Sequence, residues 1–97
     1  MTESDRWERL DVWLWYARLA KTRSACTAAV RGGGFRLNRQ STDKPHSRLR
    51  AGDVLTFTTG DGEVRVWRVL SVGTRRGPVG EARLLWEDVL PGSTEPN

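Results

Sequence analysis

The residues of this chain whose types could do chemistry are mainly arginines, and they are concentrated in one segment. Of the 16 basic residues, 14 are Arg, whose planar guanidinium donates paired hydrogen bonds to phosphate oxygens and stacks on flat rings. Residues 12–52 carry nine Lys or Arg and one Asp, a net charge of +8, whereas residues 1–11 and 53–97 each carry −2. Such a localised charge indicates a surface that binds nucleic acid. The competing interpretation is an arginine-rich surface inherited from genome composition.

The other chemically active side chains are too few for an active site or a metal site. His46 is the only histidine and Cys26 the only cysteine, and one of each cannot supply the three or four ligands that zinc requires. No Ser-His-acid triad can be argued either. Asp11 lies in an otherwise apolar stretch, where we expect it to pair with an arginine or to cap a helix. The sequence therefore predicts a protein that is not an enzyme and uses neither metal nor cofactor.

Length and composition predict one soluble domain. A chain of 97 residues with 37% hydrophobic and 29% charged residues builds one modest core. We expect this domain to span residues 9–90, with disordered ends at 1–8 and 91–97, although Trp7 is expected to fold back onto it. The sequence has neither the pattern of a signal peptide nor an apolar run near the roughly 20 residues that span a bilayer. These features predict a cytoplasmic protein without a membrane partner.

Two helices are predicted in the basic half of the chain. The first begins near Leu10 and carries two sets of apolar residues at helical spacing, which leaves only a narrow polar stripe. The sets are Leu10, Trp13, Leu14, Ala17 and Val12, Trp15, Tyr16, Leu19; the stripe is Asp11 and Arg18. Such a helix must be covered on several sides or must offer an aromatic surface to a partner. Core packing is the expected role of at least one tryptophan.

The second helix is predicted to begin after Thr22, a good N-cap residue, and to end at the glycines 32–34. Because these glycines follow the helix rather than precede it, capping is favoured over a phosphate-binding loop. We expect an inner face of Ala25, Ala28 and Ala29 beside a buried Cys26, and an outer face of Arg23, Thr27 and Arg31.

After the glycines the apolar period changes from 3.6 to 2, which indicates strands. Alternation at 35–37 and 48–50 places Arg36, Arg48 and Arg50 opposite the apolar residues. Two more strands are predicted at 53–59 and 63–72, joined by a tight hairpin. Alternation slips around Trp67 and Arg68, which indicates a bulge or partial cover of both faces. Residues 81–89 are predicted to form a short terminal helix that packs Ala82, Leu85 and Trp86.

Several short motifs resemble a known RNA-binding module. They are Arg9-Leu10-Asp11, Trp13-Leu14-Trp15, Ala17-Arg18 and Lys21-Thr22-Arg23, followed by Gly33, Asn38, Lys44-Pro45 and Gly52-Asp53, and more loosely by Arg75-Arg76 and Glu81 to Trp86. The module is named after small-subunit ribosomal protein four and is also called the αL motif. Within it, the tryptophan pair and the Lys-Thr-Arg run resemble the stand-alone, ribosome-associated heat-shock family of about fifteen kilodaltons.

The resemblance implies an α+β fold, with two packed N-terminal helices followed by a small, bent antiparallel sheet; the short C-terminal helix predicted above completes it. It also implies a non-catalytic protein that binds structured ribosomal RNA. Its partner would be the large ribosomal subunit blocked by a nascent chain, with peptidyl transfer RNA as a further contact, in heat-shock-related ribosome rescue or recycling. A monomer is the expected state.

The resemblance also maps RNA contacts onto matching positions, and the strand alternation adds two arginines to them. The candidate contact residues are Arg9, Arg18, Lys21, Thr22, Arg23, Arg31, Arg36, Lys44 and Arg48. Val12 stands where the family often has a basic residue, and Arg39 follows Asn38 where a glycine is expected, which indicates a longer connection there. The sequence ends at residue 97 without the long basic extension of some members, so a weaker or differently oriented ribosome contact is expected.

Two alternatives remain open from the sequence. One is a protein-interaction adaptor that uses an exposed patch of Trp13, Trp15 or Trp86. The other is an accessory subunit of an RNA-modifying enzyme, because modules of this kind are often fused to pseudouridine synthases or transfer-RNA synthetases. A salt-insensitive association without RNA would favour the adaptor.

Overall fold

A computed structural model of the chain describes residues 6–89. The predicted disorder of residues 1–5 and 91–97 therefore lies outside the described residues. Glu8, which the sequence analysis assigned to the disordered N-terminus, is in strand β1 (Glu8–Arg9) and pairs with strand β4 (Arg48–Leu49). Trp7 folds back as expected, because the guanidinium carbon of Arg48 lies 4.4 Å from its ring centroid.

The first helix, α1 (Leu10–Tyr16), is shorter than predicted. Arg18 has a φ of +66°, a left-handed conformation that stops the helix. The N–H groups of Arg18 and Leu19 donate to the carbonyls of Trp15 (3.1 Å) and Leu14 (2.9 Å), which satisfies the free acceptors of the last turn. The prediction that Arg18 and Leu19 lie on faces of this helix is therefore wrong.

The second helix, α2 (Arg23–Arg31), has the predicted ends. The Thr22 hydroxyl accepts a hydrogen bond from the Ala25 N–H at 3.1 Å, and the chain leaves the helix at Gly32 and turns with a φ of +88° at Gly33. The predicted inner face is wrong: Cys26 and Val30 are buried, whereas the exposed positions are Ala25, Ala28 and Ala29. The larger apolar side chains take the face against α1, since they bury more surface there than alanine methyl groups would.

The sheet is antiparallel throughout, with strand order β3-β2-β5-β6-β7. Its strands are β2 (Phe35–Leu37), β3 (Gln40–Thr42), β5 (Val54–Thr58), β6 (Val64–Val69) and β7 (Trp86–Asp88). β2 and β3 are joined by Asn38 and Arg39 alone, with φ values of +52° and +77°. The longer connection predicted at this point is therefore wrong, because arginine adopts the left-handed conformation that a two-residue hairpin requires.

The C-terminal part of the domain combines one helical turn with an edge strand. Helix α3 (Val79–Ala82) confirms a short C-terminal helix, but the prediction of helix through residue 89 is wrong, since β7 pairs with β6 there. The Trp86 ring stacks on Trp67 with centroids 3.9 Å apart, a contact that a continued helix would not make. The β5–β6 register is continuous, so the irregular pattern at Trp67 reflects partial cover of both faces and not a bulge.

The core lies between α1, α2 and the sheet, and Trp13 is at its centre. Trp13 is fully buried, donates from Nε1 to the Ser71 carbonyl at 2.8 Å, and meets the Trp67 ring edge-on at 6.2 Å. Core packing by at least one tryptophan is thus confirmed. Within residues 6–89, no helix is long and apolar enough to cross a membrane.

Candidate nucleic-acid interface

Asp11 is the centre of a hydrogen-bonded network that joins the two helices. Its carboxylate, only 1% exposed, accepts from Nε and Nη2 of Arg9, each at 3.1 Å, and from the Thr27 hydroxyl at 2.9 Å. The paired donation fixes the plane of the Arg9 guanidinium while 43% of that side chain stays exposed. The structural role expected for Asp11 is therefore confirmed as pairing with an arginine, and Thr27 lies on the α1 side of α2 instead of its outer face.

The same network controls the charge of Asp11. Burial acts to raise the pKa of Asp11, but the hydrogen bonds from Arg9 and Thr27 and the charges of Arg9 and Arg23 outweigh it, so the pKa is lowered. The carboxylate is therefore ionised at neutral pH and holds Arg9 in place.

Helix α2 places two arginines beside this network. Arg23 and Arg31 lie one turn before and one turn after Thr27, so their Cα atoms are roughly 12 Å apart along the same side of the helix. Because Thr27 contacts Asp11, this side of α2 borders Arg9. Both arginines are exposed, and neither forms an ion pair with any residue in the described range.

The segment before β4 brings two further cations to the same place. The first N–H groups of α1 donate to the carbonyls of Ser47 (2.9 Å) and Pro45 (3.1 Å), which fixes residues 44–48 against the start of the helix. Lys44, next to Pro45, is exposed and has no ion pair within residues 6–89. Arg48 is the cross-strand partner of Arg9.

Together these residues form one surface on the helix side of the molecule, here called the cationic surface. It consists of Arg9, Arg23, Arg31, Lys44 and Arg48. The direct pairing of Arg9 with Arg48 places like charges opposite each other, which destabilises a two-stranded sheet. Asp11 relieves this repulsion at Arg9, whereas Arg48 forms no ion pair within the described residues and lies over the ring of Trp7. An arrangement that costs stability in the free protein is suited to an external anion.

The remaining candidate residues are placed elsewhere or are already bonded. Arg18 donates from Nε to the Gly77 carbonyl at 3.0 Å, beyond the C-terminal end of α1. The Thr22 hydroxyl caps α2, and Arg36 donates from Nη1 to the Arg39 carbonyl at 3.4 Å on the sheet. Lys21 is exposed in the loop between the helices. Arg18 and Arg36 are therefore hydrogen-bonded to residues outside the cationic surface and are not counted as part of it.

Trp7 lies at the edge of the cationic surface, although no site role was predicted for it from the sequence. Its ring is 43% exposed and lies against Arg48, so it offers a flat apolar surface at the edge of the five cations. A lone tryptophan in a polar segment was the available signal. Its partner could not be deduced, because the β1–β4 pairing joins segments about forty residues apart.

Within residues 6–89 there is no group of three or more His, Cys, Asp or Glu side chains that could hold a metal ion. Cys26 is fully buried, as predicted, and burial raises the pKa of its thiol. The thiol is thus neutral and inaccessible at physiological pH.

Comparisons with known proteins agree with this architecture. The S4 domain model matches residues 8–55, a range that contains the whole cationic surface. Heat shock protein 15 homologues from Aeromonas salmonicida and Haemophilus influenzae are 40% and 32% identical over 80 residues, 82% of this chain. The chain spans about three-fifths of the length of these curated relatives, 59% and 60% respectively.

A solved structure extends the comparison to the fold. The structure of Vibrio cholerae heat shock protein 15, described as trimeric, matches with a TM-score of 0.80 and 30% sequence identity, covering 89% of this chain and 85% of that one. The α+β fold expected from the motifs is therefore confirmed. Motifs, fold and identity together show that the chain belongs to the heat shock protein 15 family of S4-domain proteins.

Proposed function

We propose that this chain is a non-catalytic, ribosome-associated protein that binds structured ribosomal RNA through the cationic surface. The observation that carries the proposal is the convergence of five basic side chains on one surface. Among residues 6–89, only Arg9 of these five is paired with a carboxylate. Arginines that merely reflected genome composition would have no reason to converge beside a buried carboxylate that orients one of them.

The geometry fits recognition of the RNA backbone. An A-form helix hides its base edges in a deep, narrow groove, so a protein reads mainly the positions of its phosphates. Arg23 and Arg31 extend along one rigid helix, and Asp11 fixes the plane of Arg9. These side chains present phosphate ligands whose spacing is set before RNA binds, which lowers the entropic cost of binding.

Family membership supports a more specific proposal. The RNA is that of the large ribosomal subunit, blocked by a nascent chain on its transfer RNA, and the protein acts in rescue or recycling of that subunit during heat stress. Lys21, which is exposed between the two helices, is the candidate contact for peptidyl transfer RNA. This role places the protein in the cytoplasm.

Sedimentation with purified ribosomal subunits tests the proposal. We expect the protein to travel with free large subunits carrying peptidyl transfer RNA, and to be released from them by the double substitution Arg23→Ala and Arg31→Ala. The matched control is Arg68→Ala with Arg75→Ala, which removes the same charge from exposed positions on the sheet side. Equal loss in both variants would reduce the proposal to nonspecific charge, and retention of binding by the first would refute it.

The placement of the tryptophans gives little support to the alternative function of a protein-interaction adaptor. Trp13 is in the core, Trp15 is half-buried with Arg76 over its ring at 5.6 Å, and Trp86 is stacked on Trp67. An adaptor would therefore need another exposed surface.

A role as accessory subunit of an RNA-modifying enzyme predicts a stable complex with that enzyme, which copurification at high salt would detect.

Oligomeric state completes the proposal. The Vibrio cholerae relative is described as trimeric, whereas we propose that this chain binds RNA as a monomer. Light scattering during size-exclusion chromatography should give the mass of one chain, and a mass of three chains would overturn this part of the proposal.

A further inference from the structure

An open groove of about 400 Å³ lies at the C-terminal end of α1. It runs between the chain that follows α1, the β5–β6 hairpin and the α3–β7 segment, and its floor is largely apolar. Its lining includes Arg18, Arg65 and Arg83 but no carboxylate. We call it the tryptophan groove, after the two rings of Trp67 and Trp86 that line it.

The groove contains a stack of flat groups that ends in a cation. The rings of Trp67 and Trp86 are nearly parallel, with an angle of 10° and centroids 3.9 Å apart. The guanidinium carbon of Arg83 lies over the Trp86 ring, 5.4 Å from its centroid. Arg83 is exposed and forms no ion pair with the described residues. The face of an exposed guanidinium is a surface on which a planar base can stack.

The other two arginines add positive charge at the rim. The left-handed conformation of Arg18 turns its side chain toward Gly77, and the hydrogen bond from Nε to that carbonyl uses only one of its five N–H groups. Arg65 approaches Glu63 at 3.4 Å, but both side chains are well exposed, so this pair is weak and exchangeable.

We propose that the tryptophan groove binds one unpaired nucleotide of RNA, with its base on the Arg83–Trp86 stack and its phosphate between Arg18 and Arg65. The inference rests on the proposed function and adds a second RNA contact to it. An apolar peptide in the groove would cover three arginines without supplying an anion, which is unfavourable. A nucleotide supplies both a flat apolar base and a phosphate.

The two RNA contacts can belong to one molecule. Arg18 in the groove and Arg23 on the cationic surface are five residues apart, so even an extended chain would separate their Cα atoms by at most roughly 18 Å. A paired stem on the cationic surface and a bulged or terminal nucleotide in the groove therefore fit within one local RNA element. Arg18 keeps its expected role as an RNA contact, at a different surface.

The test uses nuclear magnetic resonance with the full chain and two single-stranded hexanucleotides. One is an adenosine hexamer, and the other is an abasic hexamer with the same number of phosphates. The indole N–H groups of Trp67 and Trp86 have no hydrogen-bond partner among the described residues, so their resonances report on changes in the groove. The adenosine hexamer should shift both resonances at low micromolar to millimolar concentrations, and the abasic hexamer should leave them in place.

Substitutions separate stacking from charge. Arg83→Ala should weaken binding of the adenosine hexamer roughly tenfold or more, and Arg83→Lys, which keeps the charge but not the plane, should recover little of it. Arg68→Ala, on the same sheet but outside the groove lining, should leave binding unchanged. Equal shifts with both hexamers, or normal binding by Arg83→Ala, would overturn the proposal.

Two further outcomes distinguish this inference from the proposed function. In the Arg23→Ala and Arg31→Ala double variant, large-subunit binding should be lost while the hexamer still shifts the Trp86 resonance. If the hexamer shifts nothing but the wild-type protein binds large subunits, the groove proposal fails alone. Concentration-dependent shifts of the Trp86 resonance without RNA would assign the groove to a second copy of the chain and would also overturn it.

Discussion

On the sheet side of the molecule, three exposed arginines each pair with a glutamate, whereas most basic residues of the cationic surface pair with no acid in the described range. Two of these pairs, Arg65–Glu63 and Arg68–Glu87, involve residues of β6, and the third, Arg75–Glu81, joins the loop after β6 to α3. On the helix side only Arg9 has such a partner, and that partner is the buried Asp11. The same residue type therefore balances charge within the protein on one side and remains available for an external anion on the other.

The pairing of arginines with acids distinguishes the two regions in a way that the net charge of a segment does not. Residues 12–52 carry +8 and residues 53–97 carry −2, yet strands from both segments pair in one sheet, with β2 beside β5. Exposed ion pairs contribute little stability, about 0–1 kcal/mol each. The three glutamates of the second segment that pair with arginines therefore reduce the local positive charge there.

Reversal of charge on the cationic surface should have the largest effect on RNA affinity. Replacing Arg23 and Arg31 by Glu puts two repulsive charges next to Asp11 and against the RNA, and we expect large-subunit affinity to fall by roughly two to three orders of magnitude. The same reversal at Arg68 and Arg75 should change affinity less than about fivefold. Filter binding of radiolabelled protein measures both; similar losses would mean that the two sides do not differ in function.

Asp11→Asn should be the next largest effect, on stability. The amide removes the charge that holds Arg9, and its NH₂ group faces the N–H and O–H donors that the carboxylate accepted from. We therefore expect a loss of about 1–3 kcal/mol in the free energy of unfolding. Urea denaturation measures it, and Asp88→Asn on the exposed end of β7 is the matched control. RNA affinity should also fall severalfold despite the more positive net charge. An increase in affinity would show that Arg9 does not need its orientation.

Protonation of Asp11 in acid should remove the same contribution to the free energy of unfolding. The pKa of Asp11 is lowered in the folded protein, so its ionised form stabilises the fold at any pH above the unfolded-state value of about 3.9. This stability is lost as the pH falls through the folded-state pKa. The difference in unfolding free energy between wild type and Asp11→Asn should therefore be constant from about pH 7 to pH 5 and shrink toward pH 2. A difference that stays constant in acid would contradict the assigned cause.

Arg39→Gly should have the smallest effect on RNA affinity, and it tests whether the RNA contact extends beyond the cationic surface. Arg39 belongs to the basic segment but lies at the second position of the β2–β3 turn with a φ of +77°. Glycine adopts this conformation without strain, so we expect a gain of up to about 1 kcal/mol in thermal or urea stability. Large-subunit affinity should be unchanged within about twofold. A clear loss of affinity would extend the RNA contact to the sheet.

Local signals were sufficient to predict many elements of this fold. Thr22 as an N-cap and the glycines after Arg31 mark the ends of α2, because capping depends on neighbours in sequence. Alternation at 35–37 predicted β2 for the same reason. Motif resemblance correctly assigned the family and the α+β architecture.

Features that depend on distant partners could not be predicted. The end of α1 depends on an arginine in a left-handed conformation, held by the Gly77 carbonyl from a later loop. Residues 81–89 were predicted to form a helix, yet residues 86–88 form a strand in which Trp86 stacks on Trp67. The surface itself depends on the β1–β4 pairing, which brings Arg48 beside Arg9. Sequence therefore predicted the types of residue in the site better than their grouping.

Salt dependence tests the central claim most directly. If the cationic surface neutralises about five phosphates, the logarithm of the association constant for large subunits should fall with the logarithm of salt concentration with a slope of roughly −4. The Arg23→Ala and Arg31→Ala double variant should reduce that slope by about 2, while Arg68→Ala with Arg75→Ala should leave it unchanged. A shallow slope for the wild type, or equal slopes for both variants, would contradict the assignment of RNA binding to this surface.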